Sequence, residues 1–210
     1  MKKLYLIGII CFWLSQLSCE DQSSTPEKIS SEESKDLIRE WIYSVYNPDM
    51  SPSLIYSVEE ITTNEIWSKM RAQVFTITTD VPGLSNRALF IKNGKVYDLG
   101  RNNLLGAHKP ENFLVVDLNR DSLYELCFTL THGSGLIRSE VVWYSNDLND
   151  TYLFADTSFL SSTNLKLEKE DYQNVLLKQV NTYNEVIIGS VSLVQENGTL
   201  KLKIISNKEQ

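Results

Sequence analysis

Ala88-Leu89-Phe90-Ile91-Lys92-Asn93-Gly94-Lys95-Val96-Tyr97-Asp98-Leu99 carries the pattern that decides the fold. Two apolar-rich runs flank Asn93-Gly94, the residue pair best able to take positive φ at both centres of a two-residue turn. The spacing predicts a β-hairpin, Ala88 to Lys92 and Lys95 to Leu99. Working outward, the same signature repeats. Upstream, Val74 to Thr79 alternates and is β-branched, and Pro82-Gly83 reads as a turn. Downstream, Phe113 to Leu118, Leu126 to Thr131 and Glu140 to Tyr144 read as strands at regular intervals, with Tyr152 to Ala155 and Val175 to Val180 as shorter ones. Val186 to Val194 and Leu200 to Ile205 flank Asn197-Gly198, a second hairpin. Short strands separated by turn residues imply a mainly β (α+β) domain, an antiparallel sheet or sandwich. No repeat of convincing length is visible, which argues against a full propeller at this size.

Helical spacing is confined to the N-terminal part. Leu37, Ile38, Trp41, Ile42 and Val45 recur on one helical face. Ser30 and Glu33 stand at the positions of a capping box, and acidic residues fill the first turn, where the helix dipole favours them. Asn47-Pro48 should end this amphipathic helix, and its Trp41 face should pack on a sheet. The pattern of Glu59 to Arg71 is ambiguous between element types and leans to a second, short helix around residues 64–70. Trp41, Trp67 and Trp143 are read as core residues.

The first residues carry an address. Lys2 and Lys3 precede the apolar run Leu4 to Leu14, about eleven residues long, against the roughly 20 that a membrane span needs. A polar stretch and Leu17-Ser18-Cys19 follow. This is the layout of a cleavable secretory signal, with a small residue before the cut. The cysteine after Ser18 makes the segment resemble a bacterial lipoprotein signal. Gln16 stands where the usual box has leucine, and the relaxed box is similar to those of Bacteroidota lipoproteins. That resemblance implies a signal over residues 1–18 and a mature chain that starts at lipidated Cys19 and works in the cell envelope. A diacylglycerol plus an amide-linked chain holds a protein stably, whereas a single acyl chain does so only marginally. Glu20-Asp21 resembles the acidic export signals of surface lipoproteins, so both a periplasmic and a surface-exposed orientation stay open. Residues 19–30 then read as a serine-rich tether, and residues 31–210 as one domain.

Composition narrows the function further. With 42% apolar and 10% aromatic residues the chain can build a core. Its net charge is −7, and loss of Lys2 and Lys3 with the signal takes it to about −9. Such a body repels nucleic acid and anionic surfaces and is compatible with cations. Of Cys11, Cys19 and Cys127, the signal removes the first and lipid would occupy the second. Cys127 is left alone, so no internal disulfide braces the domain, and its apolar strand predicts a buried, inert thiol.

Asp117-Leu118-Asn119-Arg120-Asp121-Ser122-Leu123-Tyr124-Glu125 is the chemical core of the sequence. Side-chain oxygens fall at positions one, three, five and nine (Asp117, Asn119, Asp121, Glu125), and the Leu123 carbonyl supplies position seven. Calcium takes six to eight oxygens at about 2.3–2.6 Å, and alternate residues of a tight loop can converge on it. Three clustered carboxylates otherwise repel one another. An EF-hand is excluded, because position twelve is Phe128 and the flanks read as strands. The arrangement resembles the strand-loop-strand calcium motif of FG-GAP and VCBS-type β proteins, usually D-x-[DN]-x-D-G-x-x-[DE], and implies one bound calcium. Ser122 replaces the motif's glycine, which costs about 1 kcal/mol if the left-handed conformation is needed there. The competing reading is a plain polar turn.

No catalytic constellation stands out. In Thr131-His132-Gly133-Ser134-Gly135 the place two before the serine is histidine rather than the glycine of a nucleophile elbow, and a turn is the simpler reading. His108 and His132 have no neighbouring cysteine or histidine cluster to suggest zinc. The sequence therefore implies a module rather than an enzyme. It would be anchored to the membrane through Cys19, would bind an unknown protein or glycan partner or brace an envelope assembly, and would hold one structural calcium. The alternative is a hydrolase acting on envelope or extracellular polymer with acidic residues near the loop.

Overall fold

A computed structural model describes residues 27–46, 55–79, 87–99, 107–133, 138–155, 157, 164–181 and 184–206. The expected signal, Cys19 and most of the tether lie outside these residues. So do Asn47-Pro48, Pro82-Gly83 and Ser134-Gly135. The chain is mixed α+β, built from antiparallel sheets of short strands with a helix towards its N-terminal end, in agreement with the sequence pattern.

Among the described residues, helix α1 (Ser31–Tyr46) comes first. The Ser30 hydroxyl accepts from the Glu33 backbone N–H at 3.2 Å, the expected N-terminal cap. Among the described residues twelve strands follow, in three meanders of four. The first holds β1 (Ile55–Glu60), β2 (Ala72–Thr79), β3 (Ala88–Lys92) and β4 (Lys95–Asp98). Helix α2 (Asn64–Met70) interrupts it, capped by Thr63 and ended by Arg71 at φ 51°. The second holds β5 (Ala107–Val116), β6 (Glu125–Gly133), β7 (Arg138–Ser145) and β8 (Thr151–Phe154). The third holds β9 (Asn164–Lys169), β10 (Val175–Val180), β11 (Glu185–Glu196) and β12 (Thr199–Ser206). Every sheet is antiparallel in chain order. The two Asn-Gly turns take positive φ at both centres, 51° and 71° at Asn93-Gly94 and 51° and 78° at Asn197-Gly198, as hairpins of this length require.

The sheets stack. Ile38 and Ile42 of α1 pack on Phe75, Ile77, Leu89 and Ile91, one face of the first sheet; Trp41 joins this cluster partly buried, while Val45 is exposed. The opposite face of that sheet, with Val74 and Phe90, meets Leu126, Phe128, Leu130, Val142 and Tyr144 of the second. The far side of the second sheet, with Val116, Cys127, Val141 and Trp143, meets Leu165, Leu167, Val175, Leu177 and Leu202 of the third. The second sheet is thus buried on both faces. That is why β6 and β7 read as unbroken apolar runs, Leu126-Cys127-Phe128 and Val141-Val142-Trp143-Tyr144, whereas β9 alternates buried Leu165 and Leu167 with charged Lys166 and Glu168. Each large side chain sealed here contributes about 1.5–3 kcal/mol.

Some polar groups inside this stack are paired where strands turn. Arg87, buried, and Asp98, largely so, form an ion pair that closes the β3–β4 hairpin. The Tyr152 hydroxyl donates to the Asp98 carbonyl at 2.7 Å and ties the second sheet to the first. In β11 a register shift opposite Leu177 and Lys178 brings Gly189 against β12. A Cβ there would lie 2.4 Å from the Ile205 carbonyl oxygen, so only glycine fits. Among the described residues no helix is long and apolar enough to cross a membrane.

Candidate metal centre

The loop between β5 and β6 sits at one end of the second sheet, on the side that faces the third. β5 and β6 are registered so that Val116 pairs with Glu125. The segment from Asp117 to Tyr124 must therefore reverse the chain in eight residues. It does so with two left-handed non-glycine residues, Arg120 at φ 61° and Ser122 at φ 69°. Ser122 takes the conformation for which the motif normally uses glycine. The loop is pinned from outside as well: the Asp117 N–H donates to the Tyr172 carbonyl, in the β9–β10 turn, at 2.7 Å.

The expected ligands divide into two groups. Asn119 is half-buried and Asp121 exposed, and they satisfy each other. The Asn119 amide donates to Asp121 Oδ2 at 2.8 Å, the Asp121 N–H donates to Asn119 Oδ1 at 3.3 Å, and the Leu123 N–H donates to Asp121 Oδ1 at 2.8 Å. The Leu123 side chain points to solvent. Asp117 and Glu125 are the opposite case. Glu125 is 1% exposed and Asp117 7%. Asp117 Oδ1 and both Glu125 carboxyl oxygens are buried with no hydrogen-bond partner. Among the described residues no three carboxylate, histidine or cysteine side chains lie close enough together to hold a metal ion as they stand. Asp121 would have to turn from its local bonds to complete the set.

Burial, reinforced by the charges of Asp121 and Asp117, pushes the Glu125 carboxyl up to about 8 from an ordinary 4.5. The Trp143 indole and the Asn119 amide oppose this in part, without completing a hydrogen bond to the carboxylate. A buried carboxylate lacking a partner carries a penalty of several kcal/mol when ionised. A cation would remove that penalty, and carboxylate and carbonyl oxygens are the donor set calcium prefers.

Some neighbours of the loop were not singled out in the sequence. Tyr124 packs edge-on against Tyr172, ring centres 5.0 Å apart, and Lys69 of α2 lies over both rings at 4.9 and 5.2 Å. Trp143, expected only as core, is fully buried and has an unpartnered Nε1 beside Glu125. Counting register outward from the β6–β7 pairing could have placed it there. Trp67, also expected as core, is half-buried instead, with Lys28 and Arg71 over its ring at 5.7 and 5.6 Å. Cys127 is fully buried and its thiol is pushed up to about 12, the inert state its strand predicted.

A cavity of about 420 Å³ opens elsewhere, between β8 and β12. Leu153, Phe154, Leu200, Leu202 and Ile204 line it together with Lys201 and Lys203, and among the described residues no carboxylate does. Comparison of the chain with protein-family models, with curated proteins and with solved structures finds no match.

Proposed function

We propose that this protein is a lipid-anchored extracytoplasmic module of a bacterial envelope that binds a protein or glycan partner or braces an assembly. One structural calcium, held by Asp117, Asn119, Asp121, Glu125 and the Leu123 carbonyl, would close its second sheet. The observation that carries the calcium reading is the Glu125 carboxylate, sealed from solvent with both oxygens unpartnered next to an unpartnered Asp117 oxygen. Support for the address comes from Lys2, Lys3, the short apolar run and Ser18-Cys19. The acidic body disfavours nucleic acid. A hydrolase would need paired carboxylates open to substrate; Asp117 and Glu125 are buried instead, which favours the module reading.

The test is a thermal melt with excess calcium and again with chelator. At a hundredfold excess over the dissociation constant, calcium adds about 2.7 kcal/mol, a rise of roughly 5–10 °C for a domain of this size. The rise should vanish in Asp121→Ala. An unchanged melting temperature at ~10 mM calcium, above the extracellular affinity range of about 10⁻⁴–10⁻³ M, would reduce the loop to a polar turn.

A further inference from the structure

We propose that Trp143 is a positioning residue of the cation site, its indole N–H holding the Glu125 carboxylate in the ligating orientation. This rests on the calcium reading above and adds a residue that lies outside the loop, on β7. Cys127 pairs with Trp143 across β6 and β7, and Glu125 precedes Cys127 by two residues on the same face. Carboxylate and indole are therefore diagonal neighbours, a spacing of about 7–8 Å between Cα atoms that long side chains bridge. Both point into the layer between the second and third sheets.

Burial makes the pairing specific. Trp143 is 0% exposed and its Nε1 has no hydrogen-bond partner; the same holds for both Glu125 oxygens. One orphan donor thus adjoins two orphan acceptors. A buried indole N–H ordinarily finds an acceptor; Val116, Cys127, Val141 and, from the third sheet, Leu167 offer none, and the buried hydroxyls of this face, Thr129, Ser139 and Ser145, are engaged with the Glu111 carbonyl, the Thr131 hydroxyl and the Leu148 N–H. A cation drawing on one carboxylate oxygen leaves the other to accept from the indole. Charge-assisted hydrogen bonds are shorter and about twice as strong as neutral ones, so the bond should complete when the cation binds. Ligating carboxylates are generally held by such an outer donor, and its loss costs roughly 10–100-fold in metal affinity.

The experiment is calcium titration calorimetry on the full chain and its Trp143→Phe variant, with thermal melts of both in chelator. Phenylalanine keeps the apolar bulk and removes the N–H. The expected result is a calcium affinity weakened about tenfold or more, with the chelator melts of the two proteins alike; a merely structural role would lower the chelator melt and leave the affinity unchanged. Independently of any variant's folding, the Trp143 indole resonance of the wild-type chain should move downfield on calcium saturation while those of Trp41 and Trp67 stay. Calcium binding by the wild type with neither the affinity loss nor the indole shift overturns the role of Trp143 alone. Absence of calcium binding by the wild type overturns the calcium reading and this role with it.

Discussion

Glu125 is where burial and charge conflict most sharply in this protein. Its carboxyl is pushed up to about 8 first by loss of water and then by Asp121 and Asp117. The sign of the consequence follows from proton counting. Without calcium the folded chain keeps this proton to about pH 8, whereas the unfolded chain releases it near 4.5. Between those values the folded state binds more protons, so stability is full below pH 4.5 and is lost as pH rises toward 8. Each pKa unit is worth about 1.4 kcal/mol, and the loss across the window should reach a few kcal/mol. Denaturant unfolding in chelator at pH 5 and pH 8 measures it, and Glu125→Gln should flatten the difference. Equal stability of the wild type at both values would mean that the carboxyl is better solvated than its 1% exposure implies. The residue types at this site, Asp117, Asn119, Asp121 and Glu125, were legible as alternate oxygens in a short loop. That two of the four are sealed and two are not was illegible, because exposure depends on the third sheet lying over that end of the second.

At the scale of the element, the β5–β6 loop closes only because Ser122 accepts a left-handed backbone at φ 69°. A non-glycine residue in that region costs about 1–2 kcal/mol, and glycine returns about 0.4–1 kcal/mol of that as extra freedom of the unfolded chain. Ser122→Gly should therefore stabilise the protein by about 0.5–1 kcal/mol, a rise of roughly 2 °C, measurable by calorimetry in chelator. A lower melting temperature would show that the serine hydroxyl contributes more than its backbone costs. Local chemistry made several elements readable in advance. Asn93-Gly94 and Asn197-Gly198 mark their turns through φ, and Thr63 and Arg71 bound α2 over the residues expected. β9 (Asn164–Lys169) went unread: two buried leucines between charged residues are too few for a period to stand out. The helical stripe of α1 was likewise read one residue too far: Val45 is exposed, outside the cluster that covers Ile38 and Ile42.

Across the whole molecule, the second sheet carries two cores, one shared with the first sheet and one with the third. A chain ending at Ala155 keeps eight strands in sequence but bares Val116, Cys127, Val141 and Trp143. It should bind a hydrophobic dye and melt without a cooperative transition, whereas the full chain unfolds in one step. A cooperative melt of the shortened chain would make the third sheet dispensable. The sequence by itself determined the strand-rich class, the N-terminal amphipathic helix, both Asn-Gly hairpins and the candidate ligands, because period, turn conformation and ligand spacing are properties of neighbouring residues. Only the tertiary structure decided that the twelve strands form three stacked meanders, that the middle one is covered twice, and that Trp143 lies beside Glu125. Those facts depend on which face of each sheet meets another, and burial between sheets is set by partners far apart in the chain.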